Sequence, residues 1–460
     1  MEKLFAKYYD AVQVAETLTF VGYVTAVSGL LIESRGPQSV IGEICKISID
    51  YRSKEDGAEK TDEILAEVVG LNGFTVKLMA YGETAGIEIG SKVTATGAPL
   101  EISCSSAMMG RILGPLGQPI DGKGPIRSAK KYPVMASPPP ALDRQVIKER
   151  MFTGVRAVDA LIPAGKGQRM GIFAGSGVGK STFQGIIARN TNADINVIAL
   201  IGERGRELND FIEKSLGEEG LKHSVVVVVS SDQSPLCQLR GAYVATAVAE
   251  YFRNLGMNVM LLFDSVTRFA RAQRLIALSS GEPAGHRGFP PSVFDLLPKL
   301  LERSGPAAKG SITAFYTVLV EGDDLDEPVA DNVRAVLDGH IVLSRRLASR
   351  GHYPAVDVLD SVSRVATEVA GGNTQVAAAV VKRLMADYSE AEDIINAGAY
   401  KTGSNPNIDS AIAKHDAIED FLIQGVNEKT TLAETLSRLS EISGIEIPDS
   451  ERLLYETSKI

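Results

Sequence analysis

Five apolar runs recur between residues 169 and 320, and stretches with helical periodicity separate them. Each run is nearly continuous in apolar residues instead of alternating with polar ones, which is typical of strands buried on both faces of a parallel sheet. The runs are Arg169–Ala174, Asn196–Ile201, Ser224–Val229, Asn258–Asp264 and Ser311–Val320. We therefore predict an α/β domain with a mostly parallel sheet over residues 145–365.

The rest of the chain predicts further domains, because 460 residues exceed the roughly 250–300 at which a single core stops growing. Residues 17–95 alternate short β-rich runs with Gly, Asn and Asp turns, which indicates a small β-barrel. Residues 96–144 include the Gly- and Pro-rich stretch Gly110–Pro125, which predicts a linker in place of packed structure. Helical periodicity over residues 366–460 predicts a helical C-terminal domain.

Residues 1–16 form a separate N-terminal segment in which charges interrupt the apolar residues. The segment is compatible with a short amphipathic helix, which would be marginal alone in water, or with a disordered terminus. Its charges at Lys7, Asp10 and Glu16 argue against a secretory signal. No apolar run in the chain reaches the roughly 20 residues of a membrane span, so we expect a cytoplasmic protein.

Composition argues against several kinds of site. The three cysteines, at positions 45, 104 and 237, are far apart and have no metal-ligand spacing, so we expect neither a disulfide framework nor a zinc site. A net charge of -9 argues against nucleic acid as the main partner. The acidic run Glu321–Pro328 lacks the spacing of a calcium loop, and the five histidines are scattered singly.

A glycine-rich turn follows the first apolar run. Its sequence AGSGVGKS, Ala174–Ser181, matches the phosphate-binding pattern G-x-x-x-x-G-K-[ST] with Ala in place of the first Gly. A strand before the turn and a helix after it would aim backbone N–H groups and the positive helix end at one anion, and Lys180 would reach the β and γ phosphate oxygens. The predicted nucleotide-binding residues are Gly175, Ser176, Gly177, Val178, Gly179, Lys180, Ser181 and Thr182.

Two acids end or follow other strands of the predicted sheet. Because nucleotide-bound Mg²⁺ takes oxygen ligands, we expect the hydroxyl of Ser181 and the carboxylate of Asp264 to hold it. The alternative for Asp264 is a cap on the next helix. Glu203 lies at the same sheet edge as the turn, which makes it a candidate to orient and polarise an attacking water. By position alone, Glu203 is equally compatible with an exposed surface glutamate.

Seven motifs occur in a fixed order: FAGSGVGKST, GERGRE, LLFDSVTRFARAQR, GFPPSVFDLLPKLLERSG, TVLVEGDDLDEPVAD, LDGHIVLSR and YPAVDVLDSVSR. Together they resemble the type III secretion ATPase family, and within it the flagellar protein export ATPases, which are related to the catalytic subunits of rotary ATP synthases. The resemblance extends over nearly the whole chain. It implies a RecA-like P-loop ATPase core between an N-terminal β-barrel and a C-terminal helical domain.

The resemblance also implies a homohexameric ring with each ATP site between adjacent subunits. In that arrangement Glu203 is the catalytic glutamate that activates water, and Arg204 is an arginine on the γ-phosphate side that contacts the adjoining subunit. Tyr353 stacks on adenine, as an aromatic face can. Arg364 is an arginine finger donated across the interface to the transferred phosphoryl group. Without the resemblance, Tyr353 would be interpreted as a partly buried core tyrosine and Arg364 as a salt-bridged arginine at a helix end.

We therefore predict an ATPase that hydrolyses Mg-ATP to energise or gate the export of flagellar proteins through a type III secretion apparatus. The implied partners are export-apparatus components, a stator-like regulator, a central stalk protein, export substrates and chaperones, with peripheral association at the inner membrane through partners and no nucleic acid. The alternatives are a virulence-type (injectisome) secretion ATPase, a rotary ATP synthase subunit and a ring helicase similar to Rho. Glu203 argues against a non-catalytic rotary subunit, and the acidic charge balance argues against the helicase.

Overall fold

The computed structural model describes residues 19–52, 59–127, 129–320, 322, 324 and 326–452. The segment predicted at residues 1–16 lies outside the described residues, as do positions 321, 323 and 325 of the acidic run. The chain forms two compact units, one built mainly from residues up to Glu101 and the other from most of the remainder.

The first unit contains a closed barrel whose six strands all pair antiparallel. Alternate residues of these strands, such as Val24, Ile47 and Leu78, form one buried apolar cluster. This alternation of inward apolar side chains confirms the barrel predicted from the short β-rich runs. The strands are β1 Val21–Ser28, β2 Leu31–Arg35, β3 Glu43–Arg52, β4 Glu59–Asn72, β5 Thr75–Ala80 and β6 Lys92–Pro99.

Strands after the barrel form a nine-stranded sheet and two small ladders. In chain order they are β7 Glu101–Cys104, β8 Arg111–Leu113, β9 Lys130–Pro133, β10 Arg150–Met151, β11 Ala164–Gly165, β12 Arg169–Ala174, β13 Ile195–Glu203, β14 Ser224–Ser230, β15 Asn258–Asp264, β16 Gly305–Pro306, β17 Ser311–Leu319, β18 Gly339–Leu343 and β19 Val356–Ser363. The large sheet has the order β19-β18-β12-β17-β15-β13-β14-β8, and β16 pairs with β17.

Parallel pairing dominates the large sheet. Every neighbouring pair from β18 to β8 is parallel, whereas β19 and β16 pair antiparallel. Strands β12, β13, β14, β15 and β17 correspond to the five predicted runs, so the predicted parallel sheet is confirmed. Strands β18 and β19 extend it at one edge, where polar residues stand among the apolar ones.

One part of the predicted linker proves to be packed structure. Strand β8 lies within Gly110–Pro125 and pairs with β14 at the sheet edge, and Leu113 is fully buried. The glycines allow the following turn to fold back, so that Asp121 accepts hydrogen bonds at 2.7 and 2.9 Å from the Arg111 guanidinium. The Gly and Pro content therefore marks the turns around this strand and not the whole stretch.

Helices connect the strands of the sheet and make up the C-terminal part of the chain. They are α1 Arg156–Leu161, α2 Lys180–Asn190, α3 Gly205–Asp210, α4 Gly217–Lys222, α5 Pro235–Asn254, α6 Val266–Ser279, α7 Pro291–Leu301, α8 Pro328–Val336, α9 Arg345–Ser349, α10 Ala366–Val369, α11 Gly372–Asn396, α12 Pro406–Leu422, α13 Leu432–Ser443 and α14 Asp449–Arg452. A π-helical turn, Phe211–Leu216, joins α3 to α4.

The predicted helical C-terminal domain is confirmed, because the described residues after Ser363 contain helices and no strand. Several of its buried residues, among them Phe421 and Leu436, belong to the same apolar cluster as Val158 and Ile172 of the α/β core. Among the helices that the structure describes, none is both long and apolar enough to cross a membrane.

A fully buried ion pair joins α5 to the residues after α7. The side chains of Arg303 and Glu250 are 1% and 2% exposed, and Arg303 Nε donates to Glu250 Oε1 at 2.9 Å. Arg303 Nη1 also donates to the carbonyl of Val134 at 2.8 Å. Such a pair tolerates the loss of one member poorly, because the other is then left as an unpaired buried charge.

Replacing Arg303 by Met should therefore lower the free energy of unfolding by about 3–5 kcal/mol. Urea denaturation followed by circular dichroism measures this change. The matched control is Arg346→Met, which removes a half-exposed ion pair with Glu392 and should cost less than about 1 kcal/mol. Equal losses in the two variants would contradict the assignment.

Candidate active site

The glycine-rich turn lies where the sequence places it, between the end of β12 and the start of α2. Gly177 and Gly179 have φ of 79° and 86°, in the left-handed region that residues with a Cβ rarely adopt. No side chain caps α2 at Gly179. The positive φ of these two residues therefore favours glycine, and the turn is lined by backbone instead of side chains.

The backbone N–H groups of the turn are without partners in the part of the chain that the structure describes. None of the amides of residues 176–182 donates to a described acceptor, whereas the amide of Phe183 donates to the carbonyl of Gly179 at 2.9 Å. Ser181, in the first turn of α2, is exposed. A run of free donors at the positive end of a helix is the arrangement that binds phosphate.

Lys180 extends from this turn to two acids. Its Nζ lies 2.7 Å from Oδ1 of Asp264 and 3.4 Å from Oε1 of Glu203. Both acids stand at the ends of their strands, β15 and β13, and these strands pair in parallel. Parallel strands bring their carboxyl ends to one edge of the sheet, which is why three residues distant in sequence meet here.

Burial decides between the alternatives that the sequence left open for the two acids. Glu203 is 5% exposed and Asp264 is 3% exposed. The interpretation of Glu203 as a surface glutamate is therefore wrong. Asp264 Oδ1 accepts a hydrogen bond from the Lys180 ammonium at 2.7 Å, a contact that a helix cap alone does not require.

Arg268 is a site residue that the sequence analysis missed. From the first turns of α6, its Nη2 lies 3.1 Å from Oε2 of Glu203 and its Nε lies 3.3 Å from Oε1. Gly202 leaves room for it, since a Cβ there would lie 2.8 Å from Cδ of Arg268. The only sequence signal is the position of Arg268 one helical turn after Asp264, within LLFDSVTR.

The surrounding charges keep Glu203 and Lys180 ionised. Burial alone would lower the pKa of Lys180, but the carboxylates of Asp264 and Glu203 raise it. Burial alone would raise the pKa of Glu203, but the Lys180 ammonium, a hydrogen bond from Glu207 and the Arg268 guanidinium lower it. The same hydrogen bond to Glu203 raises the pKa of Glu207. Glu203 is thus an anion and a hydrogen-bond acceptor at neutral pH.

The structure also brings Tyr353 to the glycine-rich turn. Its Cε1 lies 3.3 Å from the position that a Cβ on Gly179 would occupy, so its ring lies against the turn's backbone. Tyr353 is 42% exposed, so it is partly buried and part of its ring is open.

Two predicted site residues do not join this cluster within the chain. The Arg204 side chain is 78% exposed and lies 3.6 Å from Glu207. Arg364 is exposed and directly follows β19, whose last residue, Ser363, pairs with Gly339 at the amino end of β18. Because β18 runs parallel to β12, Arg364 lies at the sheet edge opposite the glycine-rich turn. Neither arginine contributes to the site of its own chain in this arrangement.

Three family models match the chain in consecutive regions. The nucleotide-binding domain of the ATP synthase alpha/beta family matches residues 154–363, and the β-barrel domain of that family matches residues 24–97. The C-terminal domain of the type III secretion ATPase EscN matches residues 372–441. These matches agree with the confirmed fold of a barrel, an α/β core and a helical domain.

Similar proteins match over nearly their whole length. A flagellum-specific ATP synthase of Treponema pallidum is 53% identical, covering 96% of this chain and 98% of the relative. A type 3 secretion system ATPase of Xanthomonas euvesicatoria is 46% identical over 92% of this chain and 94% of the relative. The assembled ATPase EscN of the enteropathogenic E. coli type III secretion system has a TM-score of 0.85 at 42% identity, covering 92% of this chain and all of that one.

These matches confirm the predicted family and the predicted function of an export ATPase. With a glycine-rich turn of free amides, two buried acids and three matching domains in the same order, the chain belongs to the type III secretion and flagellar export ATPases of the ATP synthase alpha/beta family.

Proposed function

We propose that this chain hydrolyses Mg-ATP at sites shared between neighbouring copies in a homohexameric ring and thereby energises or gates flagellar protein export. The observation that supports this most directly is the turn of free amides at residues 176–182 next to Lys180, Glu203 and Asp264. This set combines donors for a polyphosphate with acids for a metal and for water activation.

The residues of the turn fit a magnesium nucleotide. Free backbone donors and the Lys180 ammonium suit phosphate oxygens, and a side chain at Gly177 or Gly179 would be strained by the positive φ. The Ser181 hydroxyl and the Asp264 carboxylate would hold Mg²⁺, which neutralises charge on the transferred phosphoryl group when bound. Tyr353 would stack on adenine with its exposed ring face.

Glu203 is the group that acts on water. Its carboxylate is buried, ionised and held by Arg268 on one side and Lys180 on the other. A carboxylate fixed in this way can orient a water molecule and accept its proton without first rearranging. Arg268 is a positioning residue in this proposal, because it fixes the orientation of Glu203.

A ring explains why two predicted arginines lie apart from the site of their own chain. Exposed Arg364 and Arg204 are available to the neighbouring subunit, with Arg364 acting on that subunit's phosphoryl group. A solved relative, EscN, is described as assembled and in complex with its central stalk EscO. We infer the same kind of assembly here, with stator-like and export-gate proteins holding the ring at the inner membrane and with chaperones delivering export substrates.

The sequence identities of the relatives favour flagellar export over an injectisome role. Flagellum-specific relatives reach 53%, 49% and 48% identity, whereas the type 3 secretion relatives reach 46%. The match of residues 372–441 to a type III secretion C-terminal domain argues against a rotary synthase subunit. Neighbouring genes for hook and rod proteins, as opposed to needle and translocon proteins, would separate the two export branches.

Replacing Lys180 by Ala should abolish measurable binding of Mg-ATP, because the substitution removes the cation that meets the β and γ phosphates. Isothermal titration calorimetry of the purified chain measures the affinity. The control Lys214→Ala removes an exposed lysine that pairs with Asp210 and should bind as the wild type does. Wild-type affinity in Lys180→Ala would refute the assignment of the turn.

Replacing Glu203 by Gln should preserve Mg-ATP binding but lower kcat by about 10²–10⁴-fold, since the amide cannot accept the water proton. Phosphate release under saturating ATP measures kcat. The exposed acid Glu219, which pairs with Lys222, gives the control Glu219→Gln with unchanged kcat. A normal rate in Glu203→Gln would remove this residue from the mechanism.

Mixing Arg364→Ala subunits with Lys180→Ala subunits should restore activity that neither variant has alone. Some interfaces then combine an intact turn from one subunit with an intact arginine from the next, and such an arginine contributes roughly 10³–10⁵ in rate. As the control, Arg364→Ala mixed with the double variant Lys180→Ala/Arg364→Ala cannot form an intact interface. No recovery beyond this control would argue against a shared site.

A further inference from the structure

The segment Ile423–Glu428, here called the connector, directly follows α12 in the loop before α13 and contacts two parts of the candidate active site. The backbone N–H of Gln424 donates to the carbonyl of Tyr353 at 2.9 Å. Arg189, in the last turn of α2, donates through Nη2 to the carbonyl of Val426 at 2.8 Å. The connector is therefore bonded both to the residue proposed to stack on adenine and to the helix that follows the phosphate-binding turn.

Arg156, the first residue of α1, holds the connector from the core side. Its Nε donates to the carbonyl of Phe421 at 2.9 Å, its Nη2 donates to the carbonyl of Ile423, and its Nη1 forms an ion pair with Glu428. Arg156 is 4% exposed. Only a guanidinium offers several donors in one rigid plane, so lysine cannot reproduce this set of bonds.

Gln424 is fixed through both atoms of its side-chain amide. Its Oε1 accepts from the backbone N–H of Arg156 at 2.9 Å, and its Nε2 donates to the carbonyl of Gly154 at 2.8 Å. Because Gln424 is 3% exposed, water cannot readily replace these partners. The backbone N–H that meets the Tyr353 carbonyl is thus held in one position by the start of α1.

We propose that Arg156 is a positioning residue for adenine recognition, which acts on Tyr353 through the connector without touching the nucleotide. The proposal rests on the proposed function, and specifically on stacking of Tyr353 against adenine. Loss of the Arg156 bonds frees the connector and with it the Tyr353 backbone. Affinity contributed by the base then falls, whereas Lys180 and the amides of the turn continue to bind phosphate.

The test compares a ligand that contains adenine with one that does not. Dissociation constants for Mg-ADP and Mg-pyrophosphate are measured by calorimetry for the wild type, Arg156→Lys, Tyr353→Ala and the double variant. Arg156→Lys should weaken Mg-ADP about tenfold and leave Mg-pyrophosphate within about twofold. The double variant should bind Mg-ADP no more weakly than Tyr353→Ala, because the two residues act in series.

Other outcomes overturn the proposal in distinguishable ways. If Arg156→Lys lowers the affinity for both ligands equally, or if the losses in the double variant are additive, the proposed role of Arg156 is overturned but the nucleotide site is not. Unchanged Mg-ADP affinity in Tyr353→Ala overturns the stacking role of that residue as well, and a wild type that binds neither ligand overturns the nucleotide site.

Two further variants keep the comparison specific. Arg383→Lys makes the same substitution at an exposed arginine that pairs with Asp387 in the same helical domain and should change neither constant. Gln424→Met, which is close in volume, tests the same link if Arg156→Lys does not fold. It should weaken Mg-ADP selectively, and a loss shared by both ligands counts against the proposal.

Discussion

The contact of the Lys180 ammonium with the carboxylates of Asp264 and Glu203 is the interaction on which this site depends. Each acid is nearly inaccessible to water, and an unpaired charge in such a place costs several kcal/mol. The Lys180 ammonium therefore stabilises both acids, and Arg268 adds a second cation beside Glu203. The parallel sheet makes the meeting possible, because β12, β13 and β15 end at the same edge and each delivers one of the charges from its end or from the turn that follows.

The sequence could predict those parts of the fold and site that lie at the ends of long apolar strands. Such strands are readable from their residues alone, so the sheet, the turn, Lys180, Glu203 and Asp264 could be located in advance. The role of Arg268 was not readable in this way, because an arginine on a helix meets a particular acid only through tertiary packing and through the space left at Gly202. Burial of Glu203 and the packing of β8 also depend on neighbours distant in the chain.

The helical C-terminal domain is part of the structure around the nucleotide site and not only a platform for partners. Apolar side chains of α12 and α13 share a core cluster with α1, and the connector between them is bonded to Tyr353 and α2. Packed interiors transmit displacements because they contain few voids. A displacement of these helices would therefore reach the residues around the nucleotide site.

Strand β19 is the one long strand of the large sheet that runs against its neighbour. It begins three residues after Tyr353, spans eight residues or about 26 Å, and ends just before Arg364. In the proposed ring, this strand would connect Tyr353, at the adenine side of one site, with Arg364, which would act on the phosphoryl group of the next site. Neighbouring sites in such a ring would therefore be linked through one strand, and a displacement of that strand would reach both of them.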